Sequence, residues 1–461
     1  MRGMIVKLLL NLRGSFWFFP AIMVAAAIAL SYLTLWIDKH GPYSLLWEVQ
    51  LFSMTEPGSV REVLSTIAAS ILGVAGTTFS ITIVAVSYAG GQYGPRLVGN
   101  FMRDRANQLT LGVFVATFVY SLLILAAVSD QYTPDGKDAD TFAAFVPSVS
   151  TLVAVALTFV SIGVLIFFFH HVPETLNVSN LTARIAYGLR DQIDEMYPDQ
   201  ADYEAEDAAK REEYETRAIR SVEATRAGYI LGIDLDGLNE LAEKHDAQVR
   251  VQCRPGDFVT ETMPVMDVFL SDDAELTDDM ISSFRSVIAV GPTRTARQNI
   301  LYLADELVEI VGRALSPGVN DPFTAITCFH WLQNIIGVLQ TRKMIGGVHL
   351  SGRVISRQVS FERFISAAFD QSRPYVSKDR NVSLHVMAVL THLAARLPPC
   401  GRQEVLVRQM DLLVHAVKAQ VPAPTWLEEL EQRRSDAGAI LRSETARQQF
   451  RESDHWYAGR G

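Results

Sequence analysis

Four long apolar runs without a single charged residue lie within the first 170 residues, and they constrain this chain more than any other feature. They span 16–37 (FWFFPAIMVAAAIALSYLTLWI), 63–88 (VLSTIAASILGVAGTTFSITIVAVSY), 109–128 (LTLGVFVATFVYSLLILAAV) and 145–169 (FVPSVSTLVAVALTFVSIGVLIFFF). At a helical rise of about 1.5 Å per residue, the 22 residues of the first run reach roughly 33 Å, enough to cross the hydrocarbon core of a bilayer. A single run of this kind is compatible with a buried helix in a large soluble core. Four in succession predict an all-α, four-helix transmembrane block. The first run is too long for the apolar stretch of a signal peptide, and no small-residue cleavage site closes it.

Outside these runs the chain reads as soluble. Charged residues make up 20% of its 461 residues, against about 25% in ordinary soluble domains, and the shortfall sits in the apolar block. Basic residues precede the first run (Arg2, Lys7, Arg13) and fill the loop between the second and third (Arg96, Arg103, Arg105). The other two loops carry mostly acids, Asp38, Glu48, Glu56 and Glu62 in one and Asp130, Asp135, Asp138 and Asp140 in the other. The positive-inside bias then places both termini in the cytoplasm, with Trp17, Trp36, Tyr88 and the Phe167–Phe169 run at the interfaces. Cys253, Cys328 and Cys400 are far apart and follow no paired pattern, which argues for a reducing compartment with no disulfide framework and no zinc site. A net charge of −10 disfavours general nucleic-acid binding.

The second run differs from its neighbours. Steps of three and four residues give Thr66, Ser70, Gly73, Thr77, Ser80, Val84 and Ser87, then Gly91, a nearly continuous small or hydroxylated seam on one helical face. The opposite side carries Leu64, Ile71, Leu72, Phe79 and Val86, with Thr78 and Thr82 as its hydroxyls. Two explanations compete. Small residues let helices approach closely and hydroxyls bond between them; alternatively, several copies of this helix line a hydrated axis. No Asp, Glu, Lys, Arg or His interrupts any of the four runs, which weighs against an ion-coupled transporter more than against a passive channel. The glycines and proline of YAGGQYGPRLV are expected to break this helix.

Beyond residue 172 the sequence predicts a cytoplasmic α+β part. His170 and His171 sit where an interfacial anchor is expected, and Pro173 is expected to bend or restart the chain. Residues 173–225 read as a juxtamembrane helix followed by an acidic linker, 226–275 as a small mixed α/β unit, 276–443 as mainly helical and 444–461 as a polar, frayed tail. RPGD is read as the turn of a hairpin, and ELTDDMISSFRSVIAVG as one helix. The phrase SPGVNDPFTA closes one helix and opens another: Pro317 and Gly318 stop the first, Asp321 is suited to cap the second and Pro322 to its first position. Joint geometry leaves Ser316, Asn320 and Thr324 less accounted for, so these residues with Asp321, Arg294 and Arg297 are candidates for a small ligand or a neighbouring subunit.

With FSITIVAVSY…QYGPRL, RPGDFV and RALSPGVNDPFTA in this order, the chain resembles the bacterial predicted-membrane-protein family called domain of unknown function 2254. The resemblance covers nearly the whole chain. It implies an N-terminal transmembrane block, a C-terminal soluble block and a bacterial inner membrane; it brings no established activity and no catalytic residues. No P-loop, GxSxG, HExxH or helix-opening GxGxxG is present, so an enzyme is not expected and no catalytic residue, metal site or cofactor is assigned. Two functions remain: a homo-oligomeric ion channel or pore with a regulatory or assembly domain, and a membrane-anchored sensor or scaffold whose soluble part binds a partner protein or small ligand. The expected partners are therefore the lipid bilayer, further copies of the chain and that cytoplasmic partner.

Overall fold

The computed structural model describes residues 17–40, 56–94, 104–129, 145–197, 218–270, 276–344, 348–420, 422 and 424–453. The basic residues 2, 7, 13, 96 and 103, the acidic loop 130–144, the acidic stretch 198–217 and the last eight residues, 454–461, lie outside them. The chain divides into two compact units, Met1–Asn177 and Val178–Gly461.

Among its described residues the first unit is a bundle of four helices, each long and apolar enough to cross a membrane: α1 (Phe18–His40), α2 (Pro57–Tyr93), α3 (Arg105–Ala127) and α4 (Ser148–Leu176). Lipid as solvent explains their composition, since a helix satisfies every interior backbone group within itself. The bundle has an apolar core, but it also exposes large apolar side chains and buries several hydroxyls. Ile22, Leu33, Trp36, Phe159 and Ile166 are exposed, whereas Ser31, Thr34, Thr117, Ser121, Ser150 and Ser161 are buried. Such an apolar exterior is what a lipid-facing surface requires.

Several boundaries differ from expectation. Helix α2 starts six residues before its apolar run and continues through Gly90, Gly91 and Gln92 to Tyr93. Glycine weakens a helix without ending it; Gly94, at φ 122°, is where the helix stops. Pro173 likewise lies inside α4, which ends at Leu176 with Asn177 as its C-cap. His171 is not an outward anchor: its Nε2 meets Asp104 Oδ2 at 2.9 Å, and both side chains are largely buried. Asp104 also caps α3, accepting from the Ala106 N–H.

The second unit opens with α5 (Val178–Met196), whose apolar stripe Leu181, Ile185, Leu189 and Ile193 is buried. Two small sheets follow. In the first, β1 (Ala218–Glu223), β5 (Pro264–Leu270), β3 (Gln248–Val251), β8 (Val354–Arg357) and β7 (Val348–Ser351) lie in that order. In the second, β4 (Phe258–Val259), β2 (Gly228–Ile233) and β6 (Ile288–Gly291) do. Helices α6 (Leu235–Lys244) and α7 (Asp278–Ser286) cover a shared core that includes Val249, Val251, Val259, Met266, Val268 and Phe284.

The stretch 247–270 does supply an antiparallel pair, β3 with β5, but RPGD leads from β3 into β4 and is not the turn between the paired strands. Strand β4 leaves for the second sheet, while β5 returns to pair with β3 in the first. The stretch 276–291 is not one helix either: α7 ends at Ser286, and the β-branched Val287, Ile288 and Val290 carry the chain into β6. Because β1 precedes residue 226, and β6, β7 and β8 follow residue 275, the sheets cross both of those expected domain limits.

The remainder is helical: α8 (Ile300–Ala314), α9 (Pro322–Leu339), α10 (Phe361–Phe369), α11 (Arg373–Val376), α12 (Arg380–Ala395), α13 (Gly401–Lys418), α14 (Leu427–Leu441) and α15 (Glu444–Glu452). Helix α15 occupies part of the stretch expected to fray; Ser443 caps it, accepting from the Ala446 N–H. Helix α5 packs on α8 and α9. Gln192 fastens it further, donating to the Ala296 carbonyl and accepting from the Asn299 N–H.

Candidate functional site

The face of α2 carrying Thr66, Ser70, Gly73, Thr77, Ser80 and Ser87 does not pack against the other described residues. All six residues are exposed, as are Val84 and Gly91 on the same seam. The bundle instead buries Val60, Leu64, Ile67, Ile71 and Ala75, with Thr78 and Thr82 continuing that side. Leu72 and Phe79, read from the sequence as opposing the seam, are exposed as well. Packing between helices of one chain thus does not account for the small residues. A Cβ added at Gly73, Gly76 or Gly91 meets no atom within 4 Å. Thr77 donates to the Gly73 carbonyl at 3.0 Å and Ser80 to the Gly76 carbonyl at 2.9 Å. Those two hydroxyls are satisfied by their own helix, so the seam is smooth, mildly polar and chemically complete in a single chain.

The second candidate is the joint between α8 and α9. Ser316 donates its hydroxyl to the Arg313 carbonyl at 2.6 Å and receives the Val319 and Asn320 N–H groups on its own carbonyl. Asn320 stands at φ 49°, a left-handed conformation that asparagine tolerates better than most residues. Asp321 caps α9, accepting the Thr324 N–H at 3.1 Å and the Thr324 hydroxyl at 2.6 Å, while its own N–H reaches back to Ala314. Each of the three residues left open by the sequence therefore has a local role. Beside the exposed Asn320, the joint presents two large apolar side chains outward: Val319 is 45% exposed and Phe323 74%.

Arg294 and Arg297 do not join this group. They precede α8, whereas Ser316 follows it, and the 15 residues of α8 separate the two ends by about 22 Å. Arg294 is engaged there, 2.8 Å from Asp305 and stacked over the Tyr302 ring. Arg297 is exposed.

A third constellation went unread in the sequence. Asp38, in the last turn of α1, is only 4% exposed. It accepts the N–H groups of Val149 and Ser150 at 2.8 and 3.0 Å and the Ser150 hydroxyl at 2.5 Å, capping α4 from another helix. Carboxylates are favoured at a helix N-terminus by both hydrogen bonding and the macrodipole. Nearby, the Tyr120 hydroxyl donates to the Ser150 carbonyl at 3.1 Å and shares a 2.8 Å bond with Thr34. The signal within α3 was present, because Asn107, Thr110, Thr117 and Ser121 recur at helical spacing. The Asp38 cap joins positions 112 residues apart and has no local signature.

In the second unit, His385 of α12 is buried against His330 of α9, with ring centroids 4.6 Å apart. Burial, with the positive potential of His330 and His392, pushes the His385 pKa down to about 4. Among the described residues, no group of three His, Cys, Asp or Glu side chains is placed to hold a metal ion.

The chain is 28% identical over 421 residues to the uncharacterized protein Mb1321c of Mycobacterium bovis, covering 89% of this chain and 77% of that one. The same identity and coverage hold for the uncharacterized protein Rv1290c of Mycobacterium tuberculosis. No solved structure matches. Residues 13–392 match the model of a family described as predicted membrane protein, and with most of its length inside that match the chain belongs to the domain of unknown function 2254 family.

Proposed function

We propose that this protein is a homo-oligomeric channel or pore of the bacterial inner membrane, with both termini in the cytoplasm and the second unit acting there in regulation or assembly. One observation carries this: the small, hydroxylated face of α2 is turned out of the bundle. Helices associate in lipid through such faces, where small side chains admit close approach. Copies meeting along α2 would bring Thr66, Ser70, Thr77, Ser80 and Ser87 toward a common axis. The Thr77 and Ser80 hydroxyls, already bonded to carbonyls of their own helix, suit both a close interface and a weakly polar conduit. Purified protein in planar bilayers is expected to pass current, with Thr77→Val and Ser80→Ala altering its conductance. Silence across ions, voltages and membrane tension, or currents indifferent to both changes, overturns the proposal.

A second function, a membrane-anchored sensor or scaffold, is favoured by the exposed Val319 and Phe323 at the α8–α9 joint. Phe323→Ser is then expected to abolish capture of a cytoplasmic partner without altering membrane insertion. Capture that survives the change removes this role for the joint.

A further inference from the structure

The inward face of α3 repeats at steps of three and four residues: Asn107, Thr110, Phe114, Thr117, Ser121 and Ile124, all buried. Four of these six are polar. In a bundle surrounded by lipid, a buried polar side chain is costly unless it has a partner. Some partners are visible: Thr117 and Ser161 share a 3.1 Å hydroxyl bond. Of the four polar side chains on this face, two carry an oxygen with none among the described residues, Ser121 Oγ and Asn107 Oδ1. Ser121 is fully enclosed and Asn107 is 7% exposed. Buried polar atoms of this kind are ordinarily satisfied by ordered water.

The positions of the two orphans form a pattern. Asn107 and Ser121 each lie seven residues from Phe114, about 10.5 Å away along the helix on opposite sides. Phe114 is fully buried. Beyond each orphan, toward the ends of the bundle, stands a buried or largely buried carboxylate. Asp38 lies with Ser150 at the end beyond Ser121, and Asp104 lies with His171 at the end beyond Asn107.

We propose that each protomer's own bundle contains two internal water-binding sites, one at Ser121 and one at Asn107, and that they are the two halves of a path for water, and for protons carried on it, closed at Phe114. A hydroxyl both donates and accepts, and a carboxamide accepts through its oxygen and donates through its nitrogen, which suits water better than a bare cation. The phenyl ring at the waist can do neither. This path runs inside one chain and does not depend on how copies meet along α2.

Cysteine accessibility in the full-length chain tests the idea, using a Cys400→Ser background in oriented membranes and a membrane-impermeant methanethiosulfonate reagent. Ser121→Cys is expected to react only from the face holding the α1 C-terminus, and Asn107→Cys only from the other face. Thr117→Cys and Thr110→Cys form a second pair with the same expectation, in case either first variant misfolds. Adding Phe114→Ala is expected to abolish the sidedness. Thiols of both pairs that stay unreactive from both faces, or that react from both while Phe114 is intact, overturn the proposal.

Discussion

Replacing Asp38 should loosen the transmembrane bundle more than any single surface change, because this one carboxylate joins α1 to the start of α4. The wild-type side chain accepts two backbone N–H groups and one hydroxyl, all within 3.0 Å. In Asp38→Ala, those three donors lose their acceptor in a site that is 4% exposed in the native chain. Loss of a helix cap costs about 0.5–2 kcal/mol, and a hydrogen bond to a charged group contributes about 1.5–3 kcal/mol. These terms overlap, so a total of about 2–4 kcal/mol is expected. Asp38→Asn keeps one acceptor oxygen but turns an amide donor toward other donors, and should lose about half as much. Titration of the detergent-solubilised protein with dodecyl sulfate, followed by far-ultraviolet helicity, reads these differences. Ser150→Ala supplies the control: combined with Asp38→Ala it should add little, since both remove members of one network. If Asp38→Ala unfolds within about 0.5 kcal/mol of wild type, the cap does not hold the bundle together.

Acid should weaken the second unit through His385. Burial depresses its folded value to about 4, below the ordinary value near 6.5, so the unfolded chain takes up the proton first as pH falls. Stability is then full above about pH 6.5, declines toward pH 4 by up to about 3 kcal/mol, and levels off below; His385→Leu should flatten this dependence in thermal unfolding at stepped pH. At the joint, Asn320→Gly should be nearly neutral and Asn320→Val should cost about 1–2 kcal/mol, because only the latter resists a positive φ; equal losses for both in thermal unfolding would count against the backbone as the reason for asparagine. Asp321→Ala should destabilise α9 by about 1 kcal/mol through loss of its cap, seen as faster amide hydrogen exchange over its first turn; unchanged exchange there contradicts that role.

The transmembrane helices were legible because lipid imposes one simple demand, an uninterrupted apolar length, and the four runs meet it. Their ends were not, since Arg61, Glu62 and Gln92 remain helical outside the apolar stretch, where composition no longer distinguishes helix from loop. The outward orientation of the α2 seam was also hidden. Periodicity groups Thr66 with Ser87 on one face but does not say whether that face meets the bundle or its surroundings. In the second unit, β7 and β8 form an antiparallel hairpin, yet the parallel pairing of β8 with β3, about a hundred residues earlier, depends on tertiary contacts that local pattern does not encode. The SPGVNDPFTA joint was half legible: Asp321 and Pro322 follow capping rules, whereas the left-handed backbone that explains Asn320 appears only in three dimensions.

A structure of the full-length protein in lipid nanodiscs would test the central claim most directly. Several copies are expected, gathered around an axis with Gly73, Thr77 and Ser80 of α2 turned toward it. A lone protomer with that face in contact with lipid tails would contradict the account.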